Sequence, residues 1–232
     1  MLTLFLIVAA VSYLLGSIPF GYLLVKFFRG EDIRLSGSGN IGATNVARSG
    51  ARGLGALTLL LDIMKGVAAV GIAVALGRSH YNRCPDAVGL VDTPCIPILR
   101  LMAVAGLFAI LGHLFPAWLK FKGGKGVATA LGVFAILFPK AVLISLAIFV
   151  IVLVASRFVS LGSILAAISF PIAAWFLYRP EWPSLLLVSL VAVLVVTKHH
   201  QNIRRLLAGN ENRFGKGRGH GPGTNATAEK RT

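Results

Sequence analysis

Apolar runs long enough to cross a bilayer recur along this chain, separated only by short polar segments. Inside hydrocarbon every backbone N–H and C=O must find a partner within the protein, which leaves helices and closed barrels as spanning structures. About twenty consecutive apolar residues meet that condition as a helix. The first run, residues 2–25, lacks the basic start of a signal peptide and reads as a retained transmembrane helix, with Gly16 and Pro19 as a tolerated kink. Residues 54–76 and 98–118 follow. The apolar stretch 127–154 overshoots a hydrocarbon core of roughly 30 Å, so it divides at Pro139 into two spans, the first of them short. Residues 161–178 and 184–196 complete the expectation: an all-α integral membrane protein with seven transmembrane helices.

Charge orients that expectation. Lys26 and Arg29 directly follow the first run, which favours an outside N-terminus and, with seven spans, a cytoplasmic C-terminus. By the same parity the inside segments collect Arg34, Arg48, Arg52, Lys120, Lys122, Lys125, Arg157, Lys198, Arg204 and Arg205. The outside segments hold Arg78, Arg83, Lys140 and Arg179, diluted by Asp86, Asp92 and Glu181. The chain carries 23 Lys+Arg against 8 Asp+Glu, a net +15 that by itself would suggest nucleic acid. Its position between apolar runs points instead to topology and anionic headgroups, so no nucleic-acid partner is expected. A hydrophobic content of 56% and a mean hydropathy of +0.80 agree with the lipid bilayer as solvent. Residues 1–214 form the membrane domain, and 215–232 read as a disordered basic cytoplasmic tail. Two cysteines, Cys84 and Cys95, fall in one outside loop; they are too few for a disulfide scaffold, and the sequence leaves their pairing open.

Three polar constellations fall on the inside face. The first is Ser36-Gly37-Ser38-Gly39-Asn40-Ile41-Gly42-Ala43-Thr44-Asn45-Val46-Ala47-Arg48. Its glycines let backbone N–H groups converge on an anion. Ser38, Thr44 and Asn45 offer side-chain donors, and Arg48 a bidentate fork for phosphate. A flexible linker has the same composition but no reason to lie between two membrane-length runs. The second is Lys122-Gly123-Gly124-Lys125-Gly126, opening directly onto an apolar helix whose free N–H groups and dipole favour an anion. It differs from a Walker loop in spacing and in having no preceding strand. The third, Lys198-His199-His200-Gln201-Asn202-Ile203-Arg204-Arg205, places His199 and Asn202 on one helix face. The bland readings of these last two are a basic turn and an interfacial anchor. Ser160 adds a hydroxyl at an inside turn, or simply caps a helix; His113 is either a buried hydrogen-bonded histidine or a neighbour of the site. Asp62 and Lys65, at i and i+3 within the second run, read as a structural ion pair beneath the site.

Certain chemistry is missing. Adjacent histidines diverge by about 100° on a helix and no acid or cysteine stands at ligand spacing, so no metal site and no cofactor are expected. The chain has no His-x-x-x-x-Asp pair, no Gly-x-Ser-x-Gly elbow and no aspartate cluster for Mg²⁺. Donors and positive charge abound; general bases are scarce.

Taken together, residues 36–48, 123–129 and 199–202 resemble the three motifs of the bacterial acyl-phosphate:glycerol-3-phosphate acyltransferases, the PlsY family. Asp62-x-x-Lys65-Gly66, Gly112-His113 and Ser160-Leu161-Gly162 resemble further stretches of it, and the likeness runs from about Tyr13 to Glu211. The resemblance implies a bacterial inner-membrane enzyme, its site facing the cytoplasm, that moves an acyl group from acyl phosphate to glycerol 3-phosphate. Ser38, Arg48, Lys125, His199 and Asn202 match the critical residues, Glu211 a structural acid, and residues 123–126 the glycerol 3-phosphate loop. Ser36, Gly37, Gly39, Asn40, Gly42, Thr44, Asn45 and Ser160 complete the expected substrate-binding set, in a chain taken as a monomer. The rival class is a membrane transporter of a phosphorylated solute. Transporters show related halves and a midplane site, whereas this chain has no internal repeat and its polar motifs share one face.

Overall fold

The structure is a computed structural model that describes residues 2–81 and 96–215. Among these the regular elements are all helical: α1 (Leu2–Gly16), α2 (Phe20–Arg29), α3 (Ala43–Arg48), α4 (Arg52–His80), α5 (Ile96–Leu114), α6 (Val127–Leu137), α7 (Pro139–Ser156), α8 (Val159–Tyr178), α9 (Trp182–Lys198) and α10 (His200–Leu207). Short 3-10 turns occupy Ile33–Leu35 and Ala117–Leu119. Cys84, Cys95 and nearly all of the basic tail lie outside the described residues.

Among the described residues five helical stretches are long and apolar enough to cross a membrane (α1 with α2 as one, α4, α5, α7 and α8), or six if the pair α9 and α10, bent by 55°, counts as one span. The protein is therefore a multi-pass helical membrane protein. The kink expected near Pro19 is a break between α1 and α2, since Pro19 has no N–H to continue the ladder. At Pro139 the apolar stretch divides into helices of 11 and 18 residues. At about 1.5 Å per residue α6 rises only about 16 Å, short of a full crossing.

Between apolar helices in lipid, close packing replaces the hydrophobic drive, and small residues at crossings provide it. A Cβ on Gly16 would stand 2.1 Å from the Ala109 carbonyl oxygen where α1 meets α5, and one on Gly132 would stand 2.1 Å from that of Ile63 where α6 meets α4. Fully buried Val8, Val70, Leu101, Ile110, Leu114 and Val188 fill the space between these helices. Outward-facing Leu60, Val154, Phe176 and Leu190 are exposed to the surrounding apolar phase. The packing brings the start of α4, the end of α5 and the end of α9 to one end of the bundle, and the polar loops with them.

Candidate active site

The loop between α2 and α4 is built on one amide. Asn45 is 3% exposed, and its Nδ2 donates to the carbonyls of Ile33, Ser36 and Asn40 at 3.3, 3.0 and 2.8 Å. Its Oδ1 accepts from the Ser38 N–H at 2.9 Å and the Ser38 hydroxyl at 3.1 Å. Gly37 and Gly39 sit at φ +60° and +70°, and a Cβ on Gly37 would stand 2.3 Å from Asn45 Oδ1. The side chain expected to donate to phosphate instead holds the loop closed around itself. Asn40 Oδ1 likewise accepts from the Gly42 N–H at 2.8 Å.

The second loop rests on His113. Gly124 N–H donates to the His113 carbonyl at 3.0 Å, and a Cβ on Gly124 would meet His113 Nε2 at 2.1 Å. The ring is buried, with Nδ1 3.1 Å from Thr129 Oγ1 and 3.5 Å from Asp62 Oδ1. Lys65 Nζ lies 2.9 Å from the same Asp62 oxygen and donates to the Ile18 carbonyl, in the break between α1 and α2, at 3.0 Å. The expected ion pair thus lies under the glycine loop, and His113 completes it.

The third segment closes the site. Lys125 Nζ donates to Asn202 Oδ1 at 2.6 Å, and Asn202 Nδ2 donates to Glu211 Oε1 at 2.8 Å. Ser160 Oγ donates to Glu211 Oε1 at 3.0 Å, and Arg205 Nε to Oε2 at 2.8 Å. Ser160 therefore serves the buried carboxylate rather than the cavity. Burial raises the Glu211 carboxyl, but the bonds from Arg205, Asn202 and Ser160 outweigh it and hold the group below the usual carboxylate range. Burial lowers Lys125 to about 8, opposed by Glu211 and assisted by Arg205 and Arg48. His199 is 2% exposed, its Nδ1 2.7 Å from the Val195 carbonyl oxygen. A carbonyl only accepts, so Nδ1 carries the proton and Nε2 of the neutral ring is left as an acceptor.

These segments enclose a cavity of about 300 Å³. Of the residues expected from the sequence, Ser38, Gly39, Asn40, Gly123, Gly124, Lys125 and Asn202 line it. Arg48 stands beside it, half-buried, its Nη2 donating to the Asn212 carbonyl at 3.2 Å. Ser36, Gly37, Gly42, Thr44, Gly126 and His199 are not among the lining residues. Lys122, Lys198 and Arg205 are; each belongs to one of the polar constellations, but none was singled out there as a site residue. Their place within three residues of a motif was the available signal. No carboxylate stands among the described lining residues.

Comparison with known proteins agrees with this geometry. The sequence profile described as glycerol-3-phosphate acyltransferase matches residues 6–209. A glycerol-3-phosphate acyltransferase of Nitrobacter winogradskyi is 46% identical over 210 residues, covering 90% of this chain and 96% of that protein. One of Syntrophotalea carbinolica is 45% identical over 214 residues, covering 92% and 99%. A crystal structure of PlsY, an integral membrane glycerol 3-phosphate acyltransferase, in its glycerol 3-phosphate form superimposes with a TM-score of 0.77 at 37% identity, over 91% of this chain and 96% of that one. Its lysophosphatidic acid form gives a TM-score of 0.74. The chain belongs to the glycerol-3-phosphate acyltransferase family.

Proposed function

We propose that this protein transfers a fatty acyl group from acyl phosphate to glycerol 3-phosphate, giving lysophosphatidate and inorganic phosphate in phospholipid synthesis. One observation carries the reading: a cavity in which two glycine loops, Lys125 and Asn202 converge, with no carboxylate among the described lining residues to repel an anion. Both substrates bear phosphate, which gives two loops and a ring of cations a use. Acyl phosphate is an activated mixed anhydride, so no protein nucleophile is required. The glycerol hydroxyl oxygen bonds to the acyl carbon, the bond from that carbon to the phosphate oxygen breaks, and the hydroxyl proton passes to a substrate phosphate oxygen. Ser38, Arg48, Lys125, His199 and Asn202 orient the phosphates and stabilise the developing charge, while the backbones of residues 36–45 and 123–126 shape the loops. No cofactor or metal enters this scheme.

The topology that suits it has seven membrane segments, α6 being the short one, with the N-terminus outside and residues 1–214 forming one domain. The site and the basic tail, residues 215–232, face the bacterial cytoplasm, and the working unit is a monomer. The deciding experiment gives the purified protein acyl phosphate, acyl-CoA or acyl-carrier protein with glycerol 3-phosphate. Acylation from acyl phosphate alone is expected; vesicle uptake of glycerol 3-phosphate without acylation sinks the reading. If a substrate phosphate takes the proton, His199→Gln keeps kcat within about tenfold. A loss of about a thousandfold would instead make Nε2 of His199 the base.

A further inference from the structure

Glu211 is 7% exposed and is not among the residues that line the cavity, yet its carboxylate is bonded to two that are, Asn202 through Oε1 and Arg205 through Oε2. An amide has one end that only donates and one that only accepts. Because Asn202 Nδ2 donates to Glu211 Oε1, Asn202 Oδ1 must face the other way, and there it meets the Lys125 ammonium at 2.6 Å. The far end of the chain is fixed as well: Arg205 holds one carboxylate oxygen from α10, and Ser160 holds the other from α8. We propose that Glu211 is a positioning residue for the reaction: acting through the Asn202 amide, it aims the Lys125 ammonium into the cavity and keeps it charged. This rests on the reading of the cavity as the acyl-transfer site.

The charges around Lys125 say why such a device is needed. Arg48 approaches from α3 and Arg205 from α10, His199 lies at the bend between α9 and α10, and Lys122, Lys198 and His200 share the cavity lining. All of these are cationic or neutral; among the described charged groups Glu211 is the one that opposes the burial that depresses Lys125 to about 8. A lysine is charged below its midpoint, so the part of the rate that needs the ammonium is full at low pH and is lost as pH rises through about 8. Removing the carboxylate, or cutting the amide link, shifts that loss to lower pH. A shift of about one unit leaves roughly threefold less charged Lys125 at pH 7.5.

The test uses the purified full chain in detergent. The pH dependence of Lys125 labelling by dilute acetic anhydride is read by mass spectrometry, beside the pH profile of kcat/KM for glycerol 3-phosphate. Glu211→Gln and Asn202→Leu are expected to lower both midpoints by about one unit. Ser160→Ala, which also loosens Glu211 but leaves the link to Lys125, is expected to leave them in place. In Lys125→Arg and in Glu211→Gln/Lys125→Arg the limb near pH 8 is expected to vanish. An unmoved labelling midpoint in Asn202→Leu overturns the proposal even if Glu211→Gln does not fold. So does an equal shift in Ser160→Ala, or a limb that survives in the double variant. The labelling requires no turnover, so a chain that fails to acylate glycerol 3-phosphate yet shows the shift defeats the reaction assignment and leaves the link between Glu211 and Lys125 standing.

Discussion

Arg48 leaves α3 with its guanidinium half-buried beside Arg205 and Glu211 and one nitrogen bonded to the Asn212 carbonyl. Burial pulls it below its usual value and Glu211 opposes that pull, yet arginine stays charged at any working pH. One arm of the fork is anchored on the backbone of the C-terminal segment, which fixes the direction of the other. A lysine has neither the plane nor the second arm. Arg48→Lys is therefore expected to lower kcat/KM for glycerol 3-phosphate by about a hundredfold with the fold intact; a loss of less than about threefold would remove Arg48 from the phosphate site. At this scale the sequence was an incomplete guide. Ser38 and Lys125, a hydroxyl and a cation beside glycine in polar loops, and Asn202, an amide on α10, reached the cavity lining. Asn45 did not, because composition cannot tell an amide that binds a ligand from one that binds its own loop.

At the scale of elements, the glycine loop between α5 and α6 owes its shape to what lies under it as much as to what enters above. The Cα of Gly124 sits against the buried His113 ring so closely that any side chain must lift the loop. Gly124→Ala is expected to cost about 1–3 kcal/mol in stability by overpacking. It should also raise KM for glycerol 3-phosphate about tenfold. The double variant His113→Ala/Gly124→Ala should recover part of the KM; no recovery would mean that the loop is displaced by some other contact. The longer apolar runs were readable as helices because their length against the hydrocarbon thickness leaves no other structure. Less readable was α6, whose 11 residues satisfy the composition of a span but not its length. The tight bend after α9 was also hidden, since the sequence around His199 is as compatible with a continuing helix as with a break of 55°.

Across the whole molecule, the buried group Asp62, Lys65 and His113 joins α4 to α5, and through the Ile18 carbonyl and Thr129 it reaches the α1–α2 break and α6. The ion pair itself follows from the i, i+3 spacing, whereas its reach to three other elements required the fold. A charge left alone at that depth is costly. Lys65→Met is expected to destabilise the protein by about 3–5 kcal/mol, read from thermal unfolding in detergent. Asp62→Asn in the same chain should restore part of the loss. A Lys65→Met protein that melts like the parent would show that the pair contributes nothing to holding these helices together.

With no carboxylate among its described lining residues and with Lys122, Lys125, Lys198 and Arg205 there, the cavity favours anions, and in the proposed reaction a released phosphate is one of them. Departure is then the part of the cycle that its electrostatics oppose. Added inorganic phosphate should compete with the incoming substrates, and turnover at saturating substrate should quicken as moderate salt screens the lysines and arginines.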